Sequence, residues 1–96
     1  MMHPLDALGS PLRRDILRAL RTTPLAVGEI ARRLPVSRPA VSRHLRILEE
    51  AGLVEAHERG TRNVYSIRPQ GFASVRAFMD DFWSVALDRL QELSRE

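Results

Sequence analysis

A mostly helical fold carrying one β-hairpin is what this sequence predicts, on three observations. Apolar residues recur at helical spacing in four segments of the 96-residue chain. Two β-prone runs flank a glycine-containing turn between residues 53 and 67. Only Pro35 and Val36 separate a short helical pattern from a longer one whose outer face is basic. Ninety-six residues suffice for one modest core and not for two, so a single domain over 1–96 is expected.

Ser10-Pro11 reads as an N-cap followed by proline at the first helical position. Leu12, Ile16, Leu17 and Leu20 then follow a helical period, giving a helix from Pro11 to about Leu20. A shorter turn around Leu5 to Leu8 precedes it and ends at Gly9. Thr22-Thr23-Pro24 breaks the chain, and Val27, Ile30, Ala31 and Leu34 define a second short helix that Pro35 terminates. Ser37 is the next N-cap, with Pro39 tolerated in a first turn whose amides have no partners. Val41, Leu45 and Leu48 form the buried stripe of a helix over about 38–51, closed by Gly52. At 100° per residue, its far side carries Pro39, Ser42, Arg43, Arg46 and Glu50, with Arg38 at the stripe's edge. Residues 53–67 form the hairpin, its tip flanked by Arg59 and Arg62. From about 71 to 95 the pattern is helical again, roughly 25 residues or ~37 Å.

Charge is segregated along the chain. There are fifteen arginines and no lysine, against twelve acids. An all-arginine chain more often reflects base composition or a thermophilic source than function, so placement carries the argument. Nine of the fifteen lie in residues 30–48 and 59–76, which contain no acid, while the last twenty residues are net acidic. Two basic blocks and an acidic end describe a surface with one region facing a polyanion. Guanidinium forks suit phosphate oxygens and guanine edges.

Helix, helix, basic helix and basic-tipped hairpin, in that order, make a winged helix-turn-helix. In that architecture the recognition helix enters the major groove and the wing reaches the backbone or minor groove of double-stranded DNA. The competing reading makes Arg38, Arg43 and Arg46 a merely solvated face. The N-cap, the two-residue lead-in, the lack of an acid before Glu49 and the second basic block favour DNA.

Several classes are excluded or disfavoured. Without cysteine there is no disulfide framework, iron–sulfur site or thiolate metal site. His3, His44 and His57 are scattered, and no Ser, His and Asp share a catalytic spacing, so no enzyme activity and no cofactor are expected. Asp80, Asp81, Asp88 and Glu92 read as the wet face of the last helix rather than a cation site. The start MMHPLD lacks a basic region followed by an apolar run, and no apolar stretch approaches membrane length. A cytoplasmic protein without membrane contact is expected. His44 flanks the buried stripe, where a phosphate contact and helix packing are equally open; His57 reads as surface.

Phe72, Val75, Phe78, Met79, Phe82, Trp83, Leu87 and Leu90 give the last helix a wider apolar stripe than its own domain needs. The excess predicts a homodimer through the terminal helices, two recognition helices sharing one DNA face.

The stretches LDALGSPLRRDILRAL, VGEIARRLPVSRPAVSRHLRILEEAGLV and ERGTRNVYSI resemble the ArsR/SmtB family of small bacterial winged-helix repressors. The resemblance covers roughly residues 5–90, and SRPAVSRHLRILEEAGLV is its most specific part. It implies a homodimeric transcription regulator, a repressor that binds an inverted-repeat operator. By position it places Ser37, Arg38, Pro39, Ser42 and Arg43 at the DNA. Many members sense metals through a Cys-x-Cys pair, but the matching positions here are Ala26 and Gly28; others use histidines on the last helix, which has none. The chain therefore resembles the cysteine-free branch, regulated by expression level, a partner or an unrecognised ligand. Two alternatives stay open: a winged-helix protein-interaction module such as an anti-repressor, and a regulator sensing a metal or small molecule at the dimer interface.

Overall fold

Each of the two longer helices of the helical core starts at a serine that proline follows within two residues. In the computed structural model, which describes residues 1–95, Ser10 Oγ accepts from the Arg13 amide at 3.3 Å and opens helix α2, Pro11–Leu20. Ser37 Oγ accepts from the Ala40 amide at 3.3 Å and opens α4, Arg38–Glu50. A one-turn helix α1, Pro4–Ala7, precedes them, its first amides met by His3, whose Nδ1 accepts from Leu5 N at 3.1 Å. Helix α3, Val27–Arg33, is the short first helix of the helix-turn-helix. Ala26 at its N-cap has no side-chain acceptor, and Glu29 instead reaches back to the Ala26 amide at 3.0 Å.

The wing consists of β2, Val54–Arg59, and β3, Arg62–Ile67, paired antiparallel with Val54 opposite Ile67 and Arg59 opposite Arg62. A strand that the sequence pattern does not predict, β1 at Leu25–Ala26, pairs with β3 through Leu25–Tyr65 and Ala26–Val64. The sheet order is β1-β3-β2, so the wing is tied to the entry of α3. Two residues are too few to show a strand period.

The expected helix start at residue 71 is also corrected. Pro69–Phe72 form a 3₁₀ turn, and the last helix, α5, is Ala73–Ser94. Gly71 sits so close to Gly52 that a Cβ there would fall 1.8 Å from the Gly52 carbonyl oxygen. Gly52 itself has φ +80°, where side chains are strained. The exit of α4 and the approach to α5 therefore meet backbone to backbone.

Ile16, Leu20, Ile30, Val41, Leu45, Leu48, Leu53 and Val54 are buried in one cluster shared by α2, α3, α4 and the base of the hairpin. Helix α5 packs against α1 but buries none of its own side chains. Leu45 is 0% exposed, so Leu45→Ala should cost about 2–5 kcal/mol in urea unfolding. Ser37→Ala should cost ~1 kcal/mol by orphaning the Ala40 amide. A Leu45→Ala chain as stable as the parent would show that the stripe is not what seats α4.

Candidate nucleic-acid interface

Burial of Val41, Leu45 and Leu48 turns the opposite face of α4 outward. Ser37, Arg38, Pro39, Ser42, Arg43 and Arg46 are all exposed. Ser42, Arg43 and Arg46 line a cleft of about 370 Å³ together with Glu49 and Tyr65, between the outer face of the helix and β3. Arg38, one turn earlier, lines a second cleft of about 260 Å³ with Ala26, Val27, Thr61, Arg62 and Asn63, where the wing meets the start of α3. Arg59 stands at the end of β2 beside the hairpin tip. Ser37, Pro39 and Arg59 line neither cleft.

Tyr65 is not among the residues that the sequence pattern marks. Its only signal is that a single aromatic stands in the wing while the other four cluster between residues 72 and 83. Half-buried and opposite both Leu25 and Ala56, it floors the cleft beside Arg43 and Arg46.

Arginines differ in how they are held. Arg13 donates from Nε to Ala7 O at 2.7 Å, and Arg14 from Nη1 to Leu8 O at 2.7 Å, closing the carbonyl end of α1 onto α2. Arg68 donates to Gly52 O at 3.4 Å. Arg62, expected as a wing-tip cation, instead donates to Glu29 Oε1 on α3. By contrast, Arg38, Arg43, Arg46 and Arg59 make no ion pair or hydrogen bond among the described residues. Four unpaired guanidiniums on α4 and the wing keep their donors available for an external anion.

His44 is half-buried and faces α2, with Nδ1 3.3 Å from Arg13 Nη1. It does not line the Arg43–Arg46 cleft, so of its two readings the geometry supports packing. A guanidinium can only donate, so Nδ1 is the acceptor in this contact. Burial, and then the charges of Arg13 and Arg43, hold its pKa below the ordinary 6.5. His57 is exposed beside Glu55, with Nε2 3.4 Å from Oε1.

Six of the eight residues expected at a dimer interface, namely Phe78, Met79, Phe82, Trp83, Leu87 and Leu90, are exposed, from 41% at Leu87 to 60% at Leu90. Phe78 and Phe82 pack with ring centroids 5.2 Å apart. The remaining two are half-buried, and Phe72 packs against the chain's own core. Among the described residues no three His, Asp or Glu side chains gather as a metal site, and no helix is long and apolar enough to cross a membrane.

The depressed His44 makes the unfolded chain bind more protons than the folded one below the ordinary imidazole value, so stability falls as pH drops through that range. Between about pH 7.5 and about pH 5.5, the parent should lose more unfolding free energy than His44→Gln, which keeps an acceptor but does not titrate. Equal losses in urea titrations would dissolve the assignment.

A helix-turn-helix domain model matches residues 8–57. The HTH-type transcriptional regulator Rv2034 of Mycobacterium tuberculosis is 51% identical over 88 residues, covering 92% of this chain and 82% of that protein. A crystal structure of a possible transcriptional regulator for arsenical resistance superposes with a TM-score of 0.82 at 39% identity, over 96% of each chain. The solution structure of a homodimeric winged helix-turn-helix domain from Mycobacterium bovis, a possible ArsR-family regulator, has a TM-score of 0.69 at 30% identity, covering 90% of this chain and 80% of that one. Order of elements, free guanidiniums on α4 and these likenesses converge: the chain belongs to the ArsR/SmtB family of winged helix-turn-helix transcriptional regulators, a DNA-binding and non-enzymatic class.

Proposed function

We propose that the chain is a cytoplasmic, homodimeric repressor that reads an inverted-repeat operator and needs no cofactor. The observation that carries this is the cleft on the outer face of α4, where Ser42, Arg43 and Arg46 present exposed donors, unpaired among the described residues, beside Tyr65. Arg43 and Arg46 read base edges in the major groove, Ser37, Arg38 and Pro39 sit at the backbone where α4 begins, and Arg59 and Arg62 hold the wing to phosphate. His44 supports the helix from behind. The exposed face of α5, Phe78 to Leu90, pairs with its counterpart in a second copy, and Val75 borders it. Two recognition helices roughly one DNA turn (~34 Å) apart then match the two half-sites. A dimer seated on a promoter blocks transcription by occupying it.

A second reading, effector control, rests on a mostly apolar cleft of about 530 Å³ lined by Leu17, Ile67, Pro69 and Phe72 together with Arg18 and Arg21. Thermal shift against a metal panel and a cell extract tests it.

Selection of bound duplexes from a random pool supplies the operator. Against it, Arg43→Ala should lose ~1–3 kcal/mol of preference over random DNA, the value of a bidentate base contact. Intact discrimination in that variant would refute the base-reading role. Arg59→Ala should weaken all duplexes alike and reduce the salt slope by ~0.9 for each phosphate the wing no longer neutralises. Sedimentation at micromolar concentration should give a dimer, and a monomer there would count against pairing through α5.

A further inference from the structure

The wing is held to the helix-turn-helix by an ion pair that uses one of the cations a polyanion would want. Glu29 on α3 accepts from the Arg62 guanidinium on β3, across 33 residues of sequence. Beside this pair lies the cleft of about 260 Å³ formed by Ala26, Val27, Arg38, Thr61, Arg62 and Asn63. Two guanidiniums, a hydroxyl and an amide line it, and no acid does. Arg38 reaches into the same corner, its guanidinium 3.7 Å from where a Cβ on Gly28 would lie.

We propose that this cleft takes one DNA backbone phosphate between Arg38 and Arg62, and that Glu29 is the internal anion the phosphate displaces. The inference deepens the DNA-binding reading and rests on it. Three features favour exchange over a fixed strut. First, the pair is solvent-accessible, with side chains 59% and 35% exposed, so parting it is cheap. Second, Glu29 is not orphaned when Arg62 leaves. Its carboxylate still accepts from the Ala26 amide at 3.0 Å, and Arg32 supplies a neighbouring positive charge; the Ala26 bond is also the leading cause that holds its pKa below the ordinary value. Third, Arg62 stands directly opposite Arg59 in the hairpin register, a like-charge pair that is unfavourable unless an anion sits close by. Glu29 serves that purpose in the free protein, and a phosphate would serve it on DNA.

The exchange has a functional consequence. A phosphate contact opposed by an internal carboxylate contributes less to binding on any duplex, so Glu29 lowers the sequence-independent part of the affinity and leaves the base contacts of α4 to decide where the protein stays.

The test is duplex binding by the full chain at low salt, with random DNA. Glu29→Gln keeps an oxygen for the Ala26 amide and removes the charge. It should bind about twofold to fivefold more tightly per half-site than the parent, the range expected when an exposed ion pair no longer competes. Arg62→Ala should then cost more in the Glu29→Gln background than in the parent. Unchanged or weaker binding by Glu29→Gln overturns the proposal, as does an equal cost of Arg62→Ala in both backgrounds. A readout free of substitutions is the structure of the parent bound to a duplex: Arg62 on phosphate supports the exchange, and Arg62 still on Glu29 overturns it. A parent chain that binds no duplex defeats the DNA-binding reading as a whole, which is distinct from a binding parent that Glu29→Gln fails to improve.

Discussion

Three side chains on the inner face of α4 decide what its outer face can do. Val41, Leu45 and Leu48 are fully buried against α2, α3 and the base of the hairpin, and a helix fixed on one side by close packing has no freedom to rotate. The directions of Ser42, Arg43 and Arg46 follow from that burial through the 100° step of the helix. Ser37 sets where the helix begins, and the Gly52–Gly71 contact sets where the chain turns away from it. The arginines themselves contribute little to this geometry; they are carried by apolar residues that never meet a ligand.

A formal charge of +3 describes this surface poorly. Arg13, Arg14 and Arg68 donate to backbone carbonyls and act as long, branched caps, work for which a planar multi-donor group suits better than an ammonium. Arg18 and Arg62 face carboxylates. Among the described residues Arg38, Arg43, Arg46 and Arg59 have no internal partner, so on α4 and the wing their electrostatic field is not cancelled at short range. In this chain the distinction between structural and available cations is one of hydrogen-bond partners and not of residue type.

Most of the architecture is legible in the sequence because it is written in local signals. Serine caps, proline at first turns, the Val41–Leu45–Leu48 period and the glycine in the hairpin turn each act within a few residues. What escapes is non-local or too short to have a period. Strand β1 is two residues long and exists only because β3 offers an edge. Tyr65 becomes part of the candidate interface through pairing across the sheet, and the partner of Arg62 lies 33 residues away. His44 is ambiguous on a helical wheel because the wheel does not show that Arg13 stands opposite it. The aromatic stripe of the last helix is visible, yet its first member, Phe72, belongs to a 3₁₀ turn that closes onto the chain's own core.

Helix α5 has 22 residues and not one buried side chain. With little tertiary packing to hold it, its helicity in an isolated chain is set by local propensity and by a few exposed pairs such as Arg76–Asp80, each contributing only about 0.2–0.5 kcal/mol. Its amides should therefore exchange with solvent long before those of α4, and its backbone should be the first that a protease can unwind and cut. Covering the Phe78–Leu90 face would remove both liabilities together. Association would then control not only how the protein engages a promoter but how long each molecule survives in the cell, tying its abundance to its own concentration through mass action.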